Sequence, residues 1–209
     1  MFETSTLMTF LAAAIAIILA PGPAQALVFS RSISDGKKSG IMTAFGLNVG
    51  TIFHSIAAAL GLSAILATSA LAFETVKYLG AAYLIYLGIR ELRTRNLSHT
   101  QAVPSSAKPT QAFTKAVFTG VLNPKVALFF LAFLPQFVDP QRGPVFVQFL
   151  VLGLILASLD TVYESVLAVL VGSLSDHLLH NTRFTLWRQR MTGGILIGLA
   201  ARLALVQRE

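Results

Sequence analysis

The chain alternates between long apolar runs and short polar segments. A membrane-spanning helix needs about 20 mostly apolar residues, and runs of that kind recur along the whole chain. We predict helices at about 6–29, 41–67, 70–89, 113–135, 144–172 and 191–206. Glu74 and Lys77 interrupt the start of the third run, and the sixth run is short, so the pattern leaves the ends of these two helices open. The pattern predicts an all-α integral membrane protein with about six transmembrane helices.

The composition agrees with lipid as the main solvent. Of the 209 residues, 55% are hydrophobic and 12% are charged, and the mean hydropathy is +0.71. Soluble domains are typically about 25% charged. We therefore predict one transmembrane domain over residues 1–209. The chain has no cysteine, which excludes disulfides and thiolate metal ligands.

The first apolar run also has features of a secretory leader. Residues 7–20 are apolar, and Ala24-Gln25-Ala26 has the form of a cleavage site. The segment before them carries Glu3 and no Lys or Arg, whereas a signal peptide begins with a basic region. We therefore predict that this run remains the first helix.

Basic residues are concentrated in loops that lie on one side of a six-helix protein. The net charge is +7. The first, third and fifth loops hold Arg31, Lys37, Lys38, Arg90, Arg93, Arg95, Lys108, Lys115, Arg183, Arg188 and Arg190. The other side holds Lys77, Arg142, Arg202 and Arg208. Because cytoplasmic loops carry an excess of Lys and Arg, we predict cytoplasmic odd loops and both termini outside the cytoplasm. Basic residues at the ends of apolar runs indicate the bilayer, and not nucleic acid, as the partner.

Two pairs of segments resemble each other. Residues Pro23–Phe29 align with Pro124–Phe130, with Pro, Ala, Leu and Phe at the same spacing. Residues Leu84–Arg90 resemble Leu196–Arg202. The first helix thus resembles the fourth, and the third resembles the sixth. The alternative is that segments rich in Leu and Ala align without a repeat.

A repeat of three helices has an odd number of spans, so its two copies must have opposite orientations in the membrane. We predict two inverted three-helix repeats, at about 1–92 and 112–209. A basic cytoplasmic linker at about 93–111, rich in Ser, Thr and Pro, would join them.

Proline motifs interrupt the first and fourth predicted helices at corresponding places. Proline lacks an N–H and clashes with the preceding turn, so each motif should kink or unwind its helix. Unwound backbone inside a membrane is tolerated where it lines a cavity, and corresponding breaks in two halves indicate a transporter's binding site. The alternative is a pair of packing kinks. We predict a substrate-binding site formed by Pro21, Gly22, Pro23, Asn123, Pro124 and Lys125.

Four ionisable residues, Lys125, His54, Asp160 and Glu164, lie inside predicted helices. A charge at the bilayer centre costs at least about 2.5–3.5 kcal/mol, so such residues face the protein interior and pair or become neutral. Asp160 and Glu164 are four residues apart and share a helix face, and two neighbouring carboxylates resist double ionisation. We predict that Asp160, His54 and Glu164 couple transport to protons. Three alternatives stay open: a structural ion pair between Lys125 and Asp160, His54 as an interior hydrogen bonder, and Glu164 near the membrane boundary.

Two further motifs predict packing and helix ends. Gly46 and Gly50 have the spacing of small residues that lets helices approach closely. Pro135 is predicted to stop the fourth helix, with Phe137 as an aromatic anchor at the outer interface.

These motifs resemble those of the LysE/RhtB family, the lysine exporters and homoserine/threonine exporters. The resemblance covers nearly the whole chain. It is carried by Ala20-Pro21-Gly22-Pro23, Gly36-Lys37-Lys38-Ser39-Gly40 with Gly46 and Gly50, Leu122-Asn123-Pro124-Lys125, Leu128-Phe129-Phe130 and Pro135-Gln136-Phe137-Val138. The resemblance implies six helices, the plasma (inner) membrane, and export of amino acids or related small metabolites driven by the proton gradient. His54 and Asp160 fall where such proteins carry polar residues, whereas the position of Glu164 is not typical of the family.

We therefore predict a secondary active exporter, a proton-coupled antiporter that is not an enzyme and has no cofactor. Backbone N–H groups near the first break and Lys125 would hold a substrate carboxylate, and Asn123 would add a hydrogen bond. Asp160, with Glu164, would bind the substrate amine or the proton. One alternative is a divalent metal-ion transporter, which Lys125 disfavours; another is an intramembrane enzyme using His54 and a carboxylate. The sequence leaves the substrate, the coupling ion and the oligomeric state open.

Overall fold

The computed structural model describes residues 2–20, 22–68 and 108–173, together with single helical positions between 71 and 93 and at 197. Within these ranges the regular structure is helical and no strand occurs. The helices are α1 (Thr4–Leu19), α2 (Pro23–Ser34), α3 (Lys37–Thr68), α4 (Pro109–Val121), α5 (Pro124–Ala132) and α6 (Val145–Ser173). Short 3₁₀ turns at Leu134–Phe137 and Pro140–Arg142 connect α5 to α6. The predicted all-α fold is confirmed.

Several of these helices can cross a membrane. By length and apolar composition, α3 and α6 each qualify alone. The pair α1–α2 is bent by 56° and α4 is bent by 45° against Pro124–Phe137, and each pair qualifies as one broken span. These helices match the first, second, fourth and fifth predicted spans. The third and sixth, at about 70–89 and 191–206, lie outside the described ranges, so the inverted repeat stays a prediction.

Both predicted helix breaks are present, and each has a local cause. Ala20 N–H donates the last hydrogen bond of α1, to Ala16 O. Pro23 is then the first residue of α2, a position where its missing N–H costs nothing. In the same way Pro124 begins α5, and the Asn123 side chain caps that helix by accepting from Lys125 N–H at 3.1 Å.

Glycines allow α3 to touch its neighbours closely. A Cβ on Gly46 would lie 2.4 Å from Phe113 O of α4, so the predicted close approach is confirmed. On another face, a Cβ on Gly153 of α6 would lie 1.9 Å from Ser55 Oγ of α3. Near the far end of α6, a Cβ on Gly172 would lie 2.6 Å from Lys37 Cγ. The two contacts show that α3 and α6 run antiparallel.

Arg31 does not lie in the first loop, where the charge count placed it. Helix α2 continues to Ser34, beyond the predicted end at 29, and carries Arg31 into the packed interior at 3% exposure. Asp35 satisfies the charge, with its Oδ2 at 2.7 Å from Arg31 Nη1. Gly36, with φ of 81°, then turns the chain into α3. The correction reflects a buried ion pair that helical periodicity alone does not reveal.

Phe137 is not an interface anchor, and that prediction was wrong. Only 6% of the residue is exposed, and its ring packs edge-on against Phe10 of α1 with centroids 5.4 Å apart. The 3₁₀ turn at Leu134–Phe137 directs the ring into the core. Pro135 lies inside that turn, and α5 already ends at Ala132.

Candidate functional site

The two helix breaks lie side by side, and Lys125 joins them. Its Nζ donates to Ile17 O at 3.0 Å and to Ala20 O at 2.8 Å, both at the end of α1. Carbonyls in the last turn of a helix have no intrahelical donor, and Pro21 could not supply one to Ile17 because it has no N–H. The side chain of Lys125 therefore provides donors that the broken backbone lacks.

Gln25 caps the same helix end from the opposite side of the break. Its Nε2 donates to Ile18 O at 2.9 Å and lies 3.4 Å from the Tyr163 hydroxyl of α6. A carbonyl oxygen can only accept, so the amide nitrogen must face Ile18. Gln25 is 3% exposed, and its Oε1 has no hydrogen-bond partner among the described residues. Sequence reasoning missed Gln25, although a buried amide two residues beyond a proline break is a usable signal.

Asp160 and Glu164 lie on α6 next to this junction. The Asn48 side chain of α3 and the Lys125 ammonium lie near the Asp160 carboxyl and interact with it electrostatically. Glu164 is 2% exposed, and its Oε2 has no partner within the described part of the chain. Glu164 thus faces the protein interior. Asn48 was missed, because its partner is distant in the chain.

A small cavity lies where α1, α3, α5 and α6 meet. It measures about 20 Å³, and its walls are Ile17, Ile18, Thr51, Lys125, Val126, Phe129, Leu156 and Asp160. Such a volume holds about one water molecule and is too small for an amino acid. The lining combines one cationic group, one carboxyl, one threonine and five apolar side chains, so it is mixed polar and apolar.

The other predicted substrate residues shape the junction. Gly22 lies beside Lys125, since a Cβ there would be 3.7 Å from its Nζ. Pro23 and Pro124 begin their helices, and Asn123 is 5% exposed, with its side-chain oxygen bound to Lys125 N–H. Pro21 falls outside the described residues.

His54 lies at the second break. It faces the backbone of Gly120 and Val121 at the end of α4, and its ring centroid is 6.4 Å from that of Phe130. His54 is absent from the cavity walls, and its Nε2 has no partner in the described part of the structure.

A larger cavity of about 480 Å³ lies at the end of the molecule that carries the N-terminus. We call it the outer cavity because it lies at an end of the molecule, and the name assigns no side of the membrane; residues 2, 3, 6 and 136–142 line it. Arg142 forms ion pairs there with Glu3 and with Asp139. Gln148 fixes the loop by donating to Asp139 O at 2.8 Å and to Gly143 O at 3.0 Å.

Three phenylalanines on successive turns separate the two cavities. Phe129 borders the small cavity and Phe137 borders the outer cavity. Phe133 packs between them, with ring centroids 5.2 Å from Phe129 and 5.0 Å from Phe137. We call these residues the phenylalanine column. All three are buried, so the column packs between the two cavities.

The described ranges contain no cluster of side chains suited to binding a metal ion. No three His, Asp or Glu side chains there lie close enough together to hold a metal ion. The ionisable groups near the small cavity are one lysine and the Asp160–Glu164 pair.

Comparison with known proteins confirms the resemblance read from the motifs. The model of the LysE type translocator family matches residues 15–207. The chain is 33% identical to a leucine efflux protein of Salmonella typhimurium over 202 residues, which cover 95% of this chain and 94% of that protein. It is 30% identical to a leucine efflux protein of Klebsiella pneumoniae over 99% of this chain and 98% of that protein. It is also 30% identical to the membrane protein YrhP of Bacillus subtilis, over 96% of this chain and 99% of that protein. No solved structure matches the chain. The chain therefore belongs to the LysE type translocator family of membrane transport proteins.

Proposed function

We propose that this protein exports amino acids with apolar side chains in exchange for protons. The observation that carries the proposal is the lining of the small cavity. Lys125 and Asp160 offer opposite charges to the carboxylate and ammonium of an amino acid, and Ile17, Val126 and Leu156 are among the apolar walls available to its side chain. Relatives that are named leucine efflux proteins agree with this substrate class.

The carboxylate of the substrate would bind at the junction of the two breaks. Helix α2 begins at Pro23, and its N-cap Gly22 lies beside Lys125, so the first free N–H groups of α2 are close to the same region. Helix N-termini attract anions through these N–H groups and the helix dipole. Asn123 would add its amide nitrogen, because only its oxygen is used by the cap.

Asp160 is the group that we propose binds either the substrate ammonium or the coupling proton. It borders the cavity, and Glu164 lies one helical turn away on the same face. Two carboxyl groups this close in a protein interior favour sharing a proton over double ionisation. His54 would serve as a further proton carrier at the second break.

The small cavity, at about 20 Å³, must enlarge before an amino acid can enter, and this requires a conformational change. We propose that one broken-helix repeat rocks against the other, as in other transporters built from inverted repeats. Movement of the phenylalanine column would open the path to the outer cavity.

The proposed orientation has the odd loops in the cytoplasm of a plasma (inner) membrane and both termini outside. The basic residues of the odd loops support the choice of side, and two contacts support the alternation of the loops. The ion pair of Glu3 with Arg142 brings the N-terminus to the same end as the α5–α6 connection. Lys37 and Gly172 meet at the other end. Loops that alternate between the two sides of the membrane require these two groups of segments to lie at opposite ends of the molecule.

Efflux from proteoliposomes tests the proposal. Purified protein is reconstituted with labelled leucine, isoleucine, valine, lysine or aspartate inside, with or without an imposed pH gradient. We expect efflux of the apolar amino acids that the pH gradient accelerates, and a proton uncoupler should abolish this acceleration. Lys115→Ala, at an exposed position on α4, is the matched control and should behave like the wild type. Efflux of lysine or aspartate in preference to leucine would contradict the substrate class, and efflux indifferent to the gradient would contradict proton coupling.

A further inference from the structure

The end of α1 is a group of carbonyl oxygens that the helix cannot satisfy by itself. In a continuous helix the carbonyls of Ile17 and Leu19 would accept hydrogen bonds from the N–H groups of residues 21 and 23. Both positions are proline, which has no N–H, so these two bonds cannot form. The bend between α1 and α2 also separates Ile18 O and Ala20 O from the α2 backbone. Side chains from α2 and α5 supply the missing donors for three of these four oxygens.

The donor that reaches two of these oxygens carries a full positive charge. Lys125 Nζ lies within 3.0 Å of both Ile17 O and Ala20 O. The C-terminus of a helix bears a partial negative charge, so a cation there is favoured over a neutral donor. Carbonyls and half-helix C-termini that converge in this way are the usual ligands of cations in broken transporter helices. The chemistry of this helix end is that of a site for an ammonium ion.

The same helix end forms part of the small cavity. Ile17 contributes to its wall, together with Lys125 and Asp160. An ammonium group that replaced Lys125 at the carbonyls would therefore lie within the lining proposed to surround the substrate. In an α-amino acid the same carbon bears the ammonium and the carboxylate. The displaced lysine would therefore remain close enough to bind the carboxylate.

We propose that the carbonyl oxygens of Ile17 and Ala20 form an ammonium site, which Lys125 fills in the closed conformation and the ammonium of the substrate takes during transport. Lys125 is then a tethered competitor that leaves the site only when a substrate brings both a cation for the carbonyls and a carboxylate for the lysine. Molecules with one of the two groups alone would be poor substrates. The ammonium site stands on the contacts of Lys125, whereas its exchange with substrate rests on the proposed function.

Removal of the tether tests the site without any transport. Purified full-length Lys125→Ala protein is heated in detergent with increasing n-propylammonium, which has the charge and donors of the lost side-chain end. The fraction that stays monodisperse on size exclusion gives the melting midpoint. We expect a lower midpoint than in the wild type, and a saturable rise of about 3–6 °C at about ten times the dissociation constant of n-propylammonium.

Three controls make the result specific. Tetrapropylammonium, which has no N–H, should not shift the midpoint of Lys125→Ala. The wild type and Lys115→Ala, in which Lys125 still fills the site, should show no saturable shift with n-propylammonium. Leucinol, which has an ammonium and no carboxylate, should stabilise Lys125→Ala, whereas 4-methylpentanoate, with only the carboxylate, should not.

Equal shifts in Lys125→Ala and Lys115→Ala, or no shift in either, would overturn the proposal. If Lys125→Ala aggregates, purification with n-propylammonium throughout should recover monodisperse protein, and aggregation in its presence as well would also overturn it. The readout separates this proposal from the proposed function. If Lys125→Ala shows the saturable shift but the wild type exports no amino acid, the ammonium site is supported and the proposed function is wrong. If the wild type exports leucine but Lys125→Ala shows no shift, the proposed function is supported and the ammonium site is wrong.

Discussion

Gly50 of α3 lies directly against the backbone of Gly120 of α4: a Cβ on Gly50 would be 2.3 Å from the Gly120 carbonyl carbon. Backbone contact at this point fixes α4 just before the second break. It also explains why small residues recur on this face of α3, where Gly46 meets Phe113 O. The position of the site therefore depends on a contact between residues that have no reactive chemistry.

Gly50→Ala should destabilise the protein by about 1–3 kcal/mol, because the added methyl group has no room between the two backbones. Gly61→Ala is the matched control in the same helix, since a Cβ there meets nothing within 4 Å. It should leave stability unchanged or raise it by up to about 1 kcal/mol, as alanine favours helix over glycine. Melting midpoints in detergent measure both variants, and equal losses would contradict the close contact.

Asn123→Ala should cost about 0.5–2 kcal/mol of stability, because the α5 N–H that the side chain caps loses its acceptor. Asn123→Ser keeps a capping oxygen and should recover most of that loss. If the amide nitrogen also binds substrate, the serine variant should show a higher KM for leucine efflux at near-normal stability. An unchanged KM would limit Asn123 to capping.

Asp160→Asn should abolish efflux driven by a pH gradient while leaving membrane insertion intact. The amide keeps the shape of the carboxyl, but it cannot release or take up a proton as a carboxyl group does. Asp139→Asn, which changes a half-exposed carboxylate at the outer end, is the control and should retain gradient-driven efflux. Normal pH-dependent efflux by Asp160→Asn would disprove its role as the proton site.

Phe133→Ala should connect the two cavities and allow leucine to leak without a pH gradient. The lost ring also removes packing worth about 3–5 kcal/mol, so Phe133→Leu serves as the milder variant if the alanine protein does not fold. Phe45→Ala, at a residue that is 51% exposed, is the control for loss of a phenylalanine. Leak is measured as gradient-independent efflux from proteoliposomes. Folded Phe133 variants that leak no more leucine than Phe45→Ala would contradict the role of the phenylalanine column as a barrier.

Single cysteines should report the proposed orientation cleanly, because the chain contains none of its own. In intact cells a membrane-impermeant maleimide should label Glu3→Cys. Lys38→Cys, at an exposed position near the other end, should react only after the membrane is permeabilised. The reverse pattern would place both termini in the cytoplasm.

Local chemistry made much of the fold predictable. A membrane helix needs a long apolar run, and a proline lacks an N–H wherever it occurs, so the described spans and both breaks follow from residues that are near neighbours in the chain. The helix ends were less predictable: α2 continues past Arg31, because Asp35 neutralises a charge that would otherwise end the apolar run. The third and sixth predicted helices lie outside the described residues.

The sequence by itself determined which residues must avoid lipid. Lys125, Asp160 and Glu164 cannot face hydrocarbon, and this cost depends only on their charge and their place in an apolar run. Tertiary structure alone decided what they meet. Lys125 binds carbonyls 105 and 108 residues away, and Gln25 lies beside a tyrosine 138 residues away. Such partners are set by how α1, α2, α5 and α6 pack together, because every residue offers a carbonyl oxygen and only packing selects the ones that a buried lysine can reach.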